Sequence, residues 1–114
     1  MSVTDSYQAF VVEQLSRVVP SVRAKRMFGG VGLYSGDVFF ALIAGDVVYL
    51  KADHSTQAEF EALDLPPFRP FGEHGTSMRY YQLPVEALEN SDVLRAWAEK
   101  AIAAAKRAKS RAPS

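Results

Sequence analysis

The chain has 114 residues, no cysteine, and 13 basic against 13 acidic side chains, for a formal net charge of zero. That length allows one domain with a core of its own, and the absence of cysteine excludes disulfides, thiolate nucleophiles and cysteine metal sites. No apolar run is long enough to cross a bilayer, and the start of the chain lacks a basic segment followed by an apolar one. A cytoplasmic protein with no membrane partner is therefore expected. The charges are unevenly placed: net +2 over residues 1–36, −7 over 37–99 and +5 over 100–114. A neutral total gives no general attraction to nucleic acid, whereas the basic end does.

Residues 4–19 read as a helix, capped by Thr4 or Asp5, with Tyr7, Phe10, Val11, Leu15 and Val18 on one stripe and Pro20 as its stop. Residues 23–28 and 31–34 have the composition of short strands, and Ser35-Gly36-Asp37 that of a tight turn. Residues 38–44 are apolar at both phases of their alternation, which suggests a strand covered on both sides. Gly45-Asp46 should turn the chain into a strand at 47–51.

Thr56 and Glu59 have the spacing of a capping box, which predicts a short helix ending near Leu63. Prolines at 66, 67 and 70 limit residues 66–71 to an edge strand at best. An exposed loop at 72–76 and a strand at 78–83 follow, and Pro84 suits the first position of a short helix ending near Asn90. Ser91 should cap the last helix, whose stripe is Leu94, Trp97, Ala98, Ala101, Ile102 and Ala105. The order predicts an α+β fold: an antiparallel sheet with helices packed on it in two layers. One domain over residues 1–106 and a disordered basic tail at 107–114 are expected.

Gly29, Gly30 and Gly32 invite comparison with a phosphate-binding loop. Such a loop needs a helix N-terminus after it, and here the glycines lead into another strand and a turn. The alternative is a strand pair bent or bulged at Gly29-Gly30, where backbone passes close to backbone.

Asp53-His54-Ser55 contains the residue types of a hydrolase triad, but adjacent residues cannot orient one another, and His54 reads as a polar residue beside a helix cap. His54 and His74 make no metal spacing, and no pair of carboxylates marks a general acid and base, so neither enzyme activity, metal nor cofactor is expected. Phe39, Phe40, Tyr49 and Trp97 are expected in the core. Arg23 and Lys25 should share one face of a strand, with Arg26 on the other. With Tyr80-Tyr81 and the tail residues Lys106, Arg107, Lys109 and Arg111, they are candidate nucleic-acid contacts; the competing reading is that the tail cations complement the helix dipole.

The segments RMFGGVGLYSGDVFFALIAGDVVYLKAD, PFRPF, MRYYQLP and VLRAWAEKAIAAA, in this order and spacing, resemble the N-terminal domain of the TfoX/Sxy family over about residues 7–106. The resemblance implies an antiparallel sheet with helices on it, similar to secretion chaperones, and members that are often dimeric. It further implies a protein-interaction module in transcriptional regulation of the competence-regulator type, beside a cyclic-AMP receptor protein, and offers no catalytic residues. The longer regulators carry a second domain of helix-hairpin-helix character where this chain ends, so a single-domain member is expected. Arg79 departs from the family's preference for a small residue.

The motif residues are Met27, Phe28, Gly29, Gly30, Gly32, Tyr49, Leu50, Lys51, Met78, Tyr80, Tyr81 and Pro84. Met27, Phe28, Leu33, Phe39, Leu42, Tyr49 and Tyr81 are the types that a sheet buries against helices. Arg26 and Lys51 interrupt apolar strands; each is expected to cap a strand end or pair with a carboxylate, the alternative being that either lines a small anionic pocket beside Tyr80. The expectation is thus a protein partner or homodimer, with direct nucleic-acid binding as the alternative.

Overall fold

A computed structural model describes residues 3–27, 29–69 and 78–111. What was expected of Phe28, of residues 70–77 including His74, and of residues 112–114 lies outside the described residues. Among the described residues six strands, β1 (Val22–Met27), β2 (Gly30–Ser35), β3 (Val38–Ala44), β4 (Val47–Lys51), β5 (Pro67–Phe68) and β6 (Met78–Gln82), form one antiparallel sheet in the order β1-β2-β3-β4-β6-β5. Helices α1 (Asp5–Ser16), α2 (His54–Ala62) and α3 (Ser91–Arg111) pack against it, with a short 3₁₀ helix at Val85–Glu89. The architecture is α+β, with helices laid on an antiparallel sheet.

One hydrophobic cluster holds the two layers together. It joins Val11 and Leu15 of α1, Phe60 of α2 and Leu94, Ala98 and Ala101 of α3 to Leu33, Ile43, Leu50 and Tyr81 of the sheet. Because all three helices share this cluster, they lie on the same face. Phe60 is 1% exposed and sits between the rings of Tyr81 and Trp97, with centroids 5.3 and 4.8 Å away. Burying a side chain of that size contributes about 2–3 kcal/mol.

The helix ends differ from the sequence reading for local reasons. Thr4 caps α1, accepting from Tyr7 N at 3.2 Å, but the helix closes at Ser16, where Val18 N and Val19 N both donate to Leu15 O and tighten the last turn. The cap of α2 is Asp53 and not Thr56. Thr56 sits at the third helical position, and its hydroxyl reciprocates by accepting from Asp53 N at 3.0 Å, so α2 starts at His54. Ser91 is already helical, and Asn90 Oδ1 accepts from Val93 N. Helix α3 also overruns the boundary drawn at residue 106 and stays helical to Arg111, with Arg107 anchoring its end to Asp53.

The expectation that β3 is covered on both sides is corrected. Among the described residues helices lie on one face only, and the apolar residues on the other face cover one another.

Candidate functional site

The strand registers sort the side chains. Lys25, Gly32, Leu42, Tyr49 and Gln82 pair in succession across β1, β2, β3, β4 and β6, and this row belongs to the face opposite the helices. Arg23, Tyr34 and Phe39 form a second row on that face, as do Lys51 and Tyr80. A β-bulge between Leu33 and Tyr34 brings Tyr34 opposite Phe39 and leaves Phe40 to the core.

The second row is a continuous chain of contacts. Arg23 Cζ lies 5.3 Å from the centroid of Tyr34, and Tyr34 stacks on Phe39 at 5.1 Å and 25°. Phe39 meets Tyr80 at 5.8 Å, and Lys51 Nζ lies 5.1 Å from the Tyr80 centroid. A cation therefore contacts each outer ring of the three, Arg23 on Tyr34 and Lys51 on Tyr80, a contact that the ring quadrupoles favour. Arg23 is held in place by two bonds, Nε and Nη2 both donating to Gly36 O at 3.1 and 3.0 Å.

Met27 lies across Gly32, where a Cβ would come within 2.7 Å of Met27 Cε and 3.2 Å of Phe39 Cε1. The glycine thus opens the space in which methionine and phenylalanine meet. Tyr49 contributes a further ring contact, 5.0 Å from Phe68.

Burial pushes the Tyr80 hydroxyl up to about 12, with Tyr34 adding to the shift. Burial also lowers the Lys51 ammonium from its ordinary value; Arg79 lowers it further and Asp53 opposes. The strand residues of this face are cationic at Arg23, Lys25 and Lys51 and include no carboxylate among those described.

Residues 13–105 match the TfoX N-terminal domain. The chain belongs to that family. No curated protein matches the sequence significantly. The matched segment of this TfoX domain starts within α1 and ends within α3, so it spans all six described strands.

The structure of the TfoX domain brings some predicted residues together and separates others. Lys51 and Tyr80 meet, but Arg26 turns to the helix side, where Nη2 donates to Asp5 Oδ1 at 2.8 Å and to Val3 O at 3.5 Å. The alternative that Arg26 lines a pocket beside Tyr80 is therefore corrected. Arg26 finds a carboxylate; Lys51 rests on an aromatic ring.

Arg23 and Lys25 do share a face, but Lys106 and Arg107 belong to α3 on the opposite side. Arg107 is engaged, with Nε donating to Asp53 Oδ2 and Nη2 to Ser55 Oγ. Lys109 and Arg111 lie in α3, and their side chains are outside the described residues, as is that of Met78 in β6. Leu50 and Tyr81 enter the core, and Pro84 precedes the 3₁₀ helix. Met27, Phe39, Leu42 and Tyr49, expected against helices, lie on the other face.

Gly29 has φ +77° in the turn from β1 to β2, and a Cβ on Gly30 would come 2.5 Å from Ile43 O. The bulge falls at Leu33 and Tyr34 and not at the glycines. His54 is exposed, and the Ser55 hydroxyl donates to Asp53 at 2.7 Å, so no nucleophile–base pair forms. Among the described residues no group of three or more His, Asp or Glu side chains is placed to hold a metal, and no helix is long and apolar enough to cross a membrane.

Sequence reasoning did not find Glu61. Its carboxylate accepts from Gln57 Nε2 at 3.0 Å and from the Tyr81 hydroxyl at 3.3 Å, at the edge of an open cleft of about 420 Å³ that also reaches Asp64 and Arg69.

Proposed function

We propose that this TfoX N-terminal domain is a non-enzymatic protein-interaction module that recognises its partner through the helix-free face of the sheet. The observation that carries the reading is the aromatic row Tyr34–Phe39–Tyr80 with a cation on each outer ring, Arg23 on Tyr34 and Lys51 on Tyr80. Aromatic residues and arginine are the types that anchor protein interfaces. Two copies joined symmetrically face to face would oppose cation to cation, so the charge pattern favours a different, acidic partner over a homodimer. A role in transcriptional regulation of the competence-regulator type belongs to this proposal and rests on the family alone, and a cytoplasmic location belongs to it from the sequence pattern.

The test compares proteins captured from nuclease-treated extract by the wild type, by Phe39→Glu and by Lys106→Glu on the opposite layer. A discrete protein retained by Lys106→Glu and lost with Phe39→Glu is expected. An identical set on all three baits, with each variant folded, overturns the reading.

Direct nucleic-acid binding is the second reading, favoured by the convergence of Arg23, Lys25 and Lys51 with aromatics on one face. Bases need open ring faces to stack on. Here the rings of the row contact each other and the outer two each hold a cation, while Lys106 and Arg107 belong to the opposite layer. Fluorescence anisotropy with a labelled single-stranded oligonucleotide across a salt series separates the readings. Micromolar binding that weakens steeply with salt and is lost in Arg23→Glu would favour nucleic acid.

A further inference from the structure

The two edges of the sheet are built differently. The β5 edge is two residues long and includes Pro67, which has no N–H to offer an incoming strand. The β1 edge is six residues long, contains neither proline nor glycine, and among the described residues pairs with β2 on one side only. Such an edge presents backbone donors and acceptors to another strand. Its side chains restrict which strand can use them: Arg23 and Lys25 on the helix-free face are exposed, while Val22 and Ala24 on the helix side are half-buried against the core.

Resting on the interaction-module reading above, we infer that β1 is a strand-addition site for an extended acidic segment of the protein partner. A strand laid beside β1 alternates its side chains between the two faces. On the helix-free face they fall beside Arg23 and Lys25, where carboxylates are complementary. On the other face they fall beside Val22 and Ala24, where aliphatic groups extend the core, and beside Arg26, which is already paired with Asp5. The occupant is thus a segment of about six residues, the length of β1, with Asp or Glu at alternate positions and aliphatic residues between. A second copy of this chain is disfavoured, because a β1–β1 pairing sets Arg23 and Lys25 of each copy beside those of the other. The same charges that guard the edge against self-association select an acidic strand.

The probe is a capped hexapeptide of alternating glutamate and valine, titrated into the isotope-labelled full chain at low salt, with the lysine–valine peptide as control. Expected are slowed amide exchange along β1, no effect of the lysine peptide, and about tenfold weaker binding of the acidic peptide to Lys25→Glu. Lys25→Glu should in turn gain affinity for the lysine peptide, a swap that a merely unfolded variant cannot produce. Shifts at Tyr34, Tyr80 and Lys51 without β1 protection would overturn strand addition and leave the face reading standing. No binding of either peptide would overturn the inference, as would a dimer in light scattering that protects β1 without peptide. Loss of the partner in the Phe39→Glu capture experiment tests the face reading separately, because Phe39 is on β3 and not at the edge.

Discussion

The carboxylate of Asp53 receives Arg107 Nε at 2.5 Å from a residue 54 positions further along the chain. Its other oxygen accepts from Ser55 N at 3.0 Å, Ser55 Oγ at 2.7 Å and Thr56 N at 3.2 Å. One residue, 8% exposed, therefore starts α2 and fastens the far end of α3. It follows β4 by two positions, so the same contact ties the helical layer to the end of the strand that carries Lys51.

Acid should loosen this joint. The Arg107 bond, helped by the bonds from Ser55 and opposed by burial, holds the Asp53 carboxyl well below the usual carboxylate range. A carboxyl lowered by folding contributes stability above its unfolded value, about 4, and loses it as pH falls through the folded value. Urea unfolding at pH 7 and pH 3 should show a fall in stability that is smaller in Asp53→Asn. Asparagine keeps the cap and removes the charge, whereas Asp53→Ala should cost about 1–2 kcal/mol at pH 7 from the lost cap. An equal acid response in wild type and Asp53→Asn would contradict the assignment.

Gly30 should tolerate no side chain, while its neighbour two positions on should tolerate one better. A Cβ at Gly30 meets a backbone oxygen, Ile43 O, at 2.5 Å, and strand backbone cannot move without disturbing the β2–β3 ladder. At Gly32 the nearest atom is the tip of the Met27 side chain, which can swing away. Gly30→Ala is expected to lose about 1–3 kcal/mol, by the usual cost of overpacking, and Gly32→Ala less. Thermal unfolding of the two variants gives the order, and the reverse order would refute the account.

These positions show what a sequence can and cannot display. The existence of β3 and β4 was legible, because Val38–Ala44 and Val47–Lys51 are apolar or β-branched runs separated by Gly45-Asp46. Which way β3 faces was not, since an apolar residue stands at both phases of its alternation, and the bulge at Leu33 and Tyr34 shifts the register. The candidate face depends on that orientation, as its row takes Arg23, Tyr34, Phe39, Lys51 and Tyr80 from five strands. The Asp53 cap had a local signal, Thr56 three residues on, but it competed with the equally well-spaced Thr56 and Glu59. The Asp53–Arg107 bond had none, because only the packing of α2 and α3 brings those two residues together. Arg107 consequently read as part of a loose tail.

The three-ring contact under α2 should dominate the core energetics. Phe60 is held between Tyr81 and Trp97, so truncating it removes its own burial and both ring contacts. Phe60→Ala is expected to cost about 3–5 kcal/mol, and Phe60→Leu less, because leucine leaves a smaller cavity. Trp97 is the single tryptophan, so its fluorescence reports directly on the change. A Phe60→Ala variant with unaltered emission and stability would show that the rings do not pack as described.

The row on the helix-free face makes an alkaline prediction. Tyr80 touches both Phe39 and Lys51, and burial raises its hydroxyl to about 12, while Tyr7, Tyr49 and Tyr81 are also raised. A phenol raised by folding contributes stability that is fully present below its unfolded value of about 10 and is lost as pH rises through the folded value. Tyrosinate absorbance of the wild type minus that of Tyr80→Phe isolates this group from the other four tyrosines. The difference curve should rise near pH 12, and the loss of stability between pH 10 and 12 should be smaller in the variant. Removing the Phe39 ring, as in Phe39→Ala, should move the curve toward pH 10, because water then reaches the phenol. A difference curve already centred near pH 10 in the wild type would mean that the row stands open to solvent. Its ring faces would then be available to a stacking ligand, and the balance would tip from a protein partner toward single-stranded nucleic acid.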